Sequence, residues 1–122
     1  MALTDEGKKI MLEAWGAEAV EIALYRDDGG TPVELSGSGY ARQSISWTYN
    51  STDVILEADK VALEDYIATF DVPAGSIDYV GFHKVSAGAQ VALHALGAFS
   101  EEYTNAGTYE ILEASLEIVD PT

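Results

Sequence analysis

Two histidines, His83 and His94, are the first residues whose type and spacing could do chemistry. They fall on neighbouring predicted strands. A zinc-type centre needs a third ligand converging on such a pair. The residue next to His83 is Lys84, a cation, and His94 alternates with Leu93, so it points away from the Val91 and Leu93 face. The pair therefore reads as ordinary surface or interface histidines. Cysteine is absent, which removes disulfides, thiolate ligands and thiol nucleophiles. No G-x-S-x-G elbow occurs, and no Ser/His/Asp trio stands out. Gly37-Ser38-Gly39 reads as a connector, because no strand-to-helix phosphate loop surrounds it. Asp27-Asp28-Gly29 lacks the remaining ligands of a calcium loop and reads as a solvated hairpin tip. Asn50-Ser51-Thr52 has the glycosylation pattern but reads as a turn. The expectation is no catalytic residue, no cofactor, no resident metal and no enzyme activity. A cation adsorbed between carboxylates of adjacent subunits is the one metal role left open.

Carboxylates dominate the charge. Six Lys and Arg face 21 Asp and Glu, a net charge of −15. A field of that sign repels nucleic acid and anionic membranes and favours basic partner surfaces. The acids are scattered rather than blocked, as on the solvated faces of a folded domain. The opening residues Leu3-Thr4-Asp5-Glu6 carry acids where a secretory signal would carry cations. The longest apolar run, Val91 to Phe99, is interrupted by His94 and is too short to span a bilayer. A soluble protein made in a reducing cytoplasm is expected.

The elements that must position these groups follow from periodicity. At 122 residues and 48% apolar content the chain suits one domain with a real core. Residues 1–16 read as a helix capped by Thr4, with Gly7, Ile10, Met11, Ala14 and Trp15 on one face and Gly16 as the stop. That stripe would bury against the domain or a neighbour. Residues 17–122 read as a sandwich. Val20, Ile22 and Leu24 alternate with Glu21, Ala23 and Tyr25 as a half-buried strand. Asp27-Asp28-Gly29-Gly30 is a hairpin turn, and Pro32 pushes the return strand to an edge. Further strands are expected at Tyr40 to Tyr49, Val54 to Leu56, Tyr66 to Val72, Ile77 to Val85, Gln90 to Phe99 and Thr108 to Val119, with Pro121 ending the last. Asp59 to Asp65 is readable either as a helical turn or as a strand bend. The fold class expected is mainly β: an antiparallel β-sandwich or jelly roll with a short N-terminal helix.

Seven Tyr, three Phe and two Trp sit among acids rather than among Lys and Arg, so stacking on nucleic acid is not expected. Trp15 and Trp47 suit core or interface anchors. Arg42 is one of only six cations and should pair with a carboxylate, at a strand start or across a subunit contact. The interface candidates are Ile10, Met11, Trp15, Arg42 and Trp47.

Three segments together carry a resemblance. They are Leu35 to Gln43 followed by Ile45-Ser46-Trp47, then Phe70 to Gly75 followed by Val80-Gly81-Phe82, and finally Asn105-Ala106-Gly107-Thr108-Tyr109. In that order they resemble small virion proteins of tailed phages, especially those infecting actinobacteria. Leu3-Thr4-Asp5 matches the opening of such proteins. Arg26-Asp27-Asp28 departs from the usual "H-T-x-x-P" stretch, and Asp59 to Asp65 is extra. The resemblance implies a structural component of the virion. The favoured role is a capsid decoration or minor capsid protein on the outer head surface, whose partners are the major capsid protein and further copies of itself, with trimers at threefold positions as one arrangement. The alternatives are a tail fibre or tail-tip protein that binds host glycan, and a free carbohydrate-binding domain.

Overall fold

The computed structural model describes residues 3–119. Met1, Ala2 and the expected terminator Pro121 lie outside the described residues. The fold is mainly β and antiparallel with one N-terminal helix, as the periodicity indicates.

Helix α1 (Asp5–Glu18) starts where expected. The Thr4 hydroxyl accepts the Gly7 N–H at 3.0 Å, and Asp5 and Glu6 occupy the first turn. Its packing face differs from the expected one. Leu12 is fully buried, whereas Ile10 and Met11 are 61% and 50% exposed. Leu12, Trp15, Gly16 and Ala19 form their own i, i+3, i+4, i+7 stripe, and that stripe meets the sheet. Gly16 does not stop the helix. It lies inside it, because the missing Cβ lets Leu56 and Trp47 approach the backbone.

The first layer is built on β1 (Glu21–Asp28). Its C-terminal half pairs with β2 (Thr31–Glu34) through the Gly29-Gly30 turn, and its N-terminal end pairs with β3 (Gln43–Ser44). On its other side lies β8 (Tyr79–His83), which pairs in turn with β9 (Gln90–Ala95). Pro32 sits on the edge strand β2, as its missing N–H requires. Strand β1 is not half-buried: Ile22, Ala23, Leu24 and Tyr25 are all buried. Ile22 and Leu24 face the core, and Tyr25 is covered from behind by Glu34, Arg42, His83 and Gln90. The expected Tyr40 to Tyr49 strand is broken into β3 and β4 (Trp47–Asn50). Between them the chain leaves β1 and joins β5 (Ile55–Ala58) of the second layer.

The second layer is one long ribbon. Strands β5, β6 (Ala68–Val72) and β7 (Gly75–Ile77) run against β12 (Ser115–Glu117), β11 (Gly107–Ile111) and β10 (Glu101–Tyr103) in that order. The pairing runs in this order from Ile77↔Glu101 to Ile55↔Glu117, with the register shifting by one residue between β7–β10 and β6–β11 and by seven across Asp59 to Asp65. Asp59 to Asp65 is neither helix nor strand. It is a turn thrown out of the ribbon, with Leu63 fully exposed at positive φ. Opposite that excursion the expected Thr108 to Val119 strand breaks. Tyr109 and Ile111 face inward, then Leu112 is 56% exposed and Ala114 and Leu116 resume the inner face. Ile77 belongs to β7 rather than to β8: the strand is interrupted at Asp78, where its partner changes from β10 to β9.

The core lies between the layers. Ile22, Leu24, Val80 and Phe82 meet Ile67, Ala68, Phe70, Val72 and Ile77, with Leu35 and Ile45 closing one side. The strand from β3 to β4 joins the layers on that side. On the opposite side β9 and the β10–β12 stretch have no further strand beside them among the described residues.

Candidate docking surface

The open side is floored by an aromatic knot. Trp15 stands edge-on to Trp47 with ring centroids 5.1 Å apart, and both meet Phe82 at 5.7 and 5.6 Å. Such pairs add about 0.5–1.5 kcal/mol each beyond their buried area. The Trp47 indole N–H donates to the Ala19 carbonyl at 2.8 Å. This bond ties the end of α1 to β4 and fixes both tryptophans in place.

Above the knot runs a groove of about 1220 Å³. One wall is β9 with Ala92, Leu93 and His94. The other is the stretch from Tyr109 to Leu116, and Trp15, Trp47 and Phe82 form the floor. Lys60 and Asp65 reach it from the excursion. The lining is chiefly apolar, and Leu93, Phe99 and Leu112 are exposed along it. Monomeric proteins rarely leave a continuous apolar channel of this kind without a partner for it.

Behind the first layer lies a polar network unconnected to the groove. Arg42 grips Glu34 through two parallel bonds, Nε to Oε2 and Nη2 to Oε1, each 2.9 Å. It also approaches Glu21 at 3.5 Å. The Tyr40 hydroxyl donates to Glu34 at 2.8 Å and accepts the Leu24 N–H at 3.0 Å. Burial would push the Glu34 carboxyl up, but the Arg42 and Tyr40 hydrogen bonds and the Arg42 charge outweigh it and hold it below its ordinary value. Burial, reinforced by Glu34, raises both Tyr25 and Tyr40. Arg42 is raised chiefly by its bond to Glu34.

His83 belongs to this network and is fully buried, which corrects its reading as a surface or interface residue. Its Nδ1 faces the Ala87 carbonyl at 3.1 Å and its Nε2 faces the Tyr25 hydroxyl at 2.5 Å. A carbonyl only accepts, so in the neutral ring Nδ1 carries the proton and Nε2 accepts from Tyr25. Tyr25 and His83 share a face of the sheet across Gly81, where a Cβ would lie 2.5 Å from the Tyr25 ring. The missing side chain lets the phenol lie flat and reach the imidazole.

Ile10 and Met11 stand on the outer side of α1, turned from their own domain. Trp15 and Trp47 meet in the groove floor. Arg42 is spent inside its own subunit on Glu34, which answers its expected pairing with a carboxylate. His94 lies in the groove wall, far in register from His83. Sequence reasoning missed the groove itself. Its one visible signal was the run of apolar and aromatic residues at both ends of the Val91 to Leu116 stretch. Among the described residues no group of three or more His, Cys, Asp or Glu is placed to hold a metal ion. No helix among them is long and apolar enough to cross a membrane.

No protein-family model matches the chain, and no curated protein and no solved structure matches it either.

Proposed function

We propose that this chain is a structural protein that docks on a larger assembly, and that the assembly is the outer shell of a tailed-phage head. The groove between β9 and β10–β12 carries the docking part of this reading. It is an apolar surface with a rigid aromatic floor, of the kind that accepts anchors from a partner. The phage part rests on the resemblance of the three segments named above. The net charge of −15 supports the outer face, since the inner face of a head meets DNA. On this reading the major capsid protein fills the groove, and the outer stripe of α1, with Ile10 and Met11, is left for contacts between copies. Bound copies stabilise the shell by covering apolar surface on both partners.

The test is retention on particles. The protein is expected in proportion to the major capsid protein, and Leu93→Arg should reduce its retention about tenfold while leaving the fold intact. Particles stripped of it should lose resistance to heat. A handful of copies per particle would place it in the tail instead. Equal thermal survival of stripped and decorated particles would refute the cementing role.

A further inference from the structure

We infer that the groove is the open seam of the sandwich and that its occupant is an extended, Lys- or Arg-bearing segment of a different protein, added as a β-strand between β9 and β10–β12. This rests on the docking reading but not on its phage part.

The lining residues carry the strand geometry. Successive side chains of a strand point to opposite faces, so a groove lying over a sheet face touches every second residue. Here consecutive residues line it: Ala92, Leu93 and His94 on one wall, and Tyr109, Glu110 and Ile111 on the other. The groove therefore meets both strands at their edges. Each strand already has a partner on its inner side, β8 for β9 and β6 for β11, and no strand on its outer side among the described residues. Unpaired edge N–H and C=O groups then face the groove from both walls. A strand laid between them satisfies both edges and drops alternate side chains onto the aromatic floor.

Charge says what kind of partner fits. Three carboxylates line the groove, Glu110, Glu113 and Asp65, against one cation, Lys60. These carboxylates oppose pairing with a second copy, which carries the same −15, and complement a basic strand. The six residues of the β9 wall, Gln90 to Ala95, would be matched by a strand of about 20 Å at ~3.3 Å per residue.

The experiment is a selection from a library of random peptides about twelve residues long, long enough to span that wall, against the full chain. Enriched sequences should alternate apolar residues with Lys or Arg. A selected peptide should slow amide hydrogen exchange in 90–95 and 107–117, and should bind about tenfold more weakly when its cations are replaced by Glu. Leu112→Lys, an exposed change, should abolish binding without lowering the melting temperature. Enrichment of helical i, i+4 patterns, or binding without new amide protection, overturns strand addition and leaves the docking reading standing. No enrichment overturns the inference, and particle retention with Leu93→Arg then decides separately whether the groove docks anything. Concentration-dependent self-association with protection of the same amides would replace the foreign strand by a second copy.

Discussion

Replacing Gly16 by Ala pits two effects of known size against each other. Within a helix, Ala is favoured over Gly by about 1 kcal/mol, so propensity alone makes Gly16→Ala stabilising. Packing opposes it. The added Cβ would lie 2.8 Å from Leu56 Cδ2 and 3.3 Å from Trp47 Cβ. Leu56 is buried in the second layer, and Trp47 is held by its indole bond to Ala19 and by the rings of Trp15 and Phe82. Neither neighbour has room to yield, and overpacking of this kind costs about 1–3 kcal/mol. The net expectation is a loss of up to about 2 kcal/mol, or up to roughly 8 °C in melting temperature for a domain of this size. Calorimetry or far-ultraviolet circular dichroism reads the melting temperature, and near-ultraviolet dichroism reads the disturbed tryptophan pair. Ala17→Gly, at the exposed next position, calibrates propensity without packing and should lose about 1 kcal/mol. A Gly16→Ala protein that melts above the parent would refute the tight docking of α1 on β4 and β5.

Two further outcomes concern the polar network. Tyr25→Phe removes the hydroxyl that faces His83 Nε2 and leaves a buried acceptor unpaired, so chemical unfolding should show a loss of about 1–3 kcal/mol. An unchanged midpoint would mean that the bond contributes nothing. Glu34 titrates below its ordinary value of 4.5 in the folded state, so its contribution is fully present above that pH and is lost as pH falls through the folded value. The stability gap between the parent and Glu34→Gln should accordingly be constant at neutral pH and shrink below about pH 4.5. A gap independent of pH across that range would show that the carboxylate charge is not what Arg42 recognises.

Much of the strand pattern was legible because side-chain alternation is local. Ala68, Phe70 and Val72 alternate and are buried, and Asp27 to Gly30 turns a hairpin. The misses have tertiary causes. The inner face of α1 is only partly legible, because Gly7, Ile10, Met11, Ala14 and Trp15 form as good a local stripe as Leu12, Trp15, Gly16 and Ala19, and only contact with Leu56 and Trp47 separates them. Strand β1 looked half-buried because Glu21 and Tyr25 are polar. Cover from Glu34 on the hairpin partner, from Arg42 and from the distant His83 cannot be read at position 25. Arg42 was recognisable as a cation in need of a carboxylate, but not which one. The groove was invisible for the same reason: periodicity says which face of a strand is apolar and is silent on whether its edge has a neighbour.

The single ribbon of the second layer also sets an order of events. Its innermost pair, Ile77 with Glu101, closes a short loop that already contains the β8–β9 hairpin, whereas its outermost pair, Ile55 with Glu117, closes a much longer one. Loop closure grows costlier with length, but each rung shortens the next closure, so the ribbon should zip from the Ile77 end toward the Ile55 end. Pulse-labelled hydrogen exchange should protect 75–77 and 101–103 before 55–58 and 115–117, and the reverse order would refute zipping. The thrown-out turn at Asp59 to Asp65 stands in the path of that zipper, between the rungs of β6 and β5. It is where a folding chain would stall, with Trp47 and the docking end of the ribbon still unassembled.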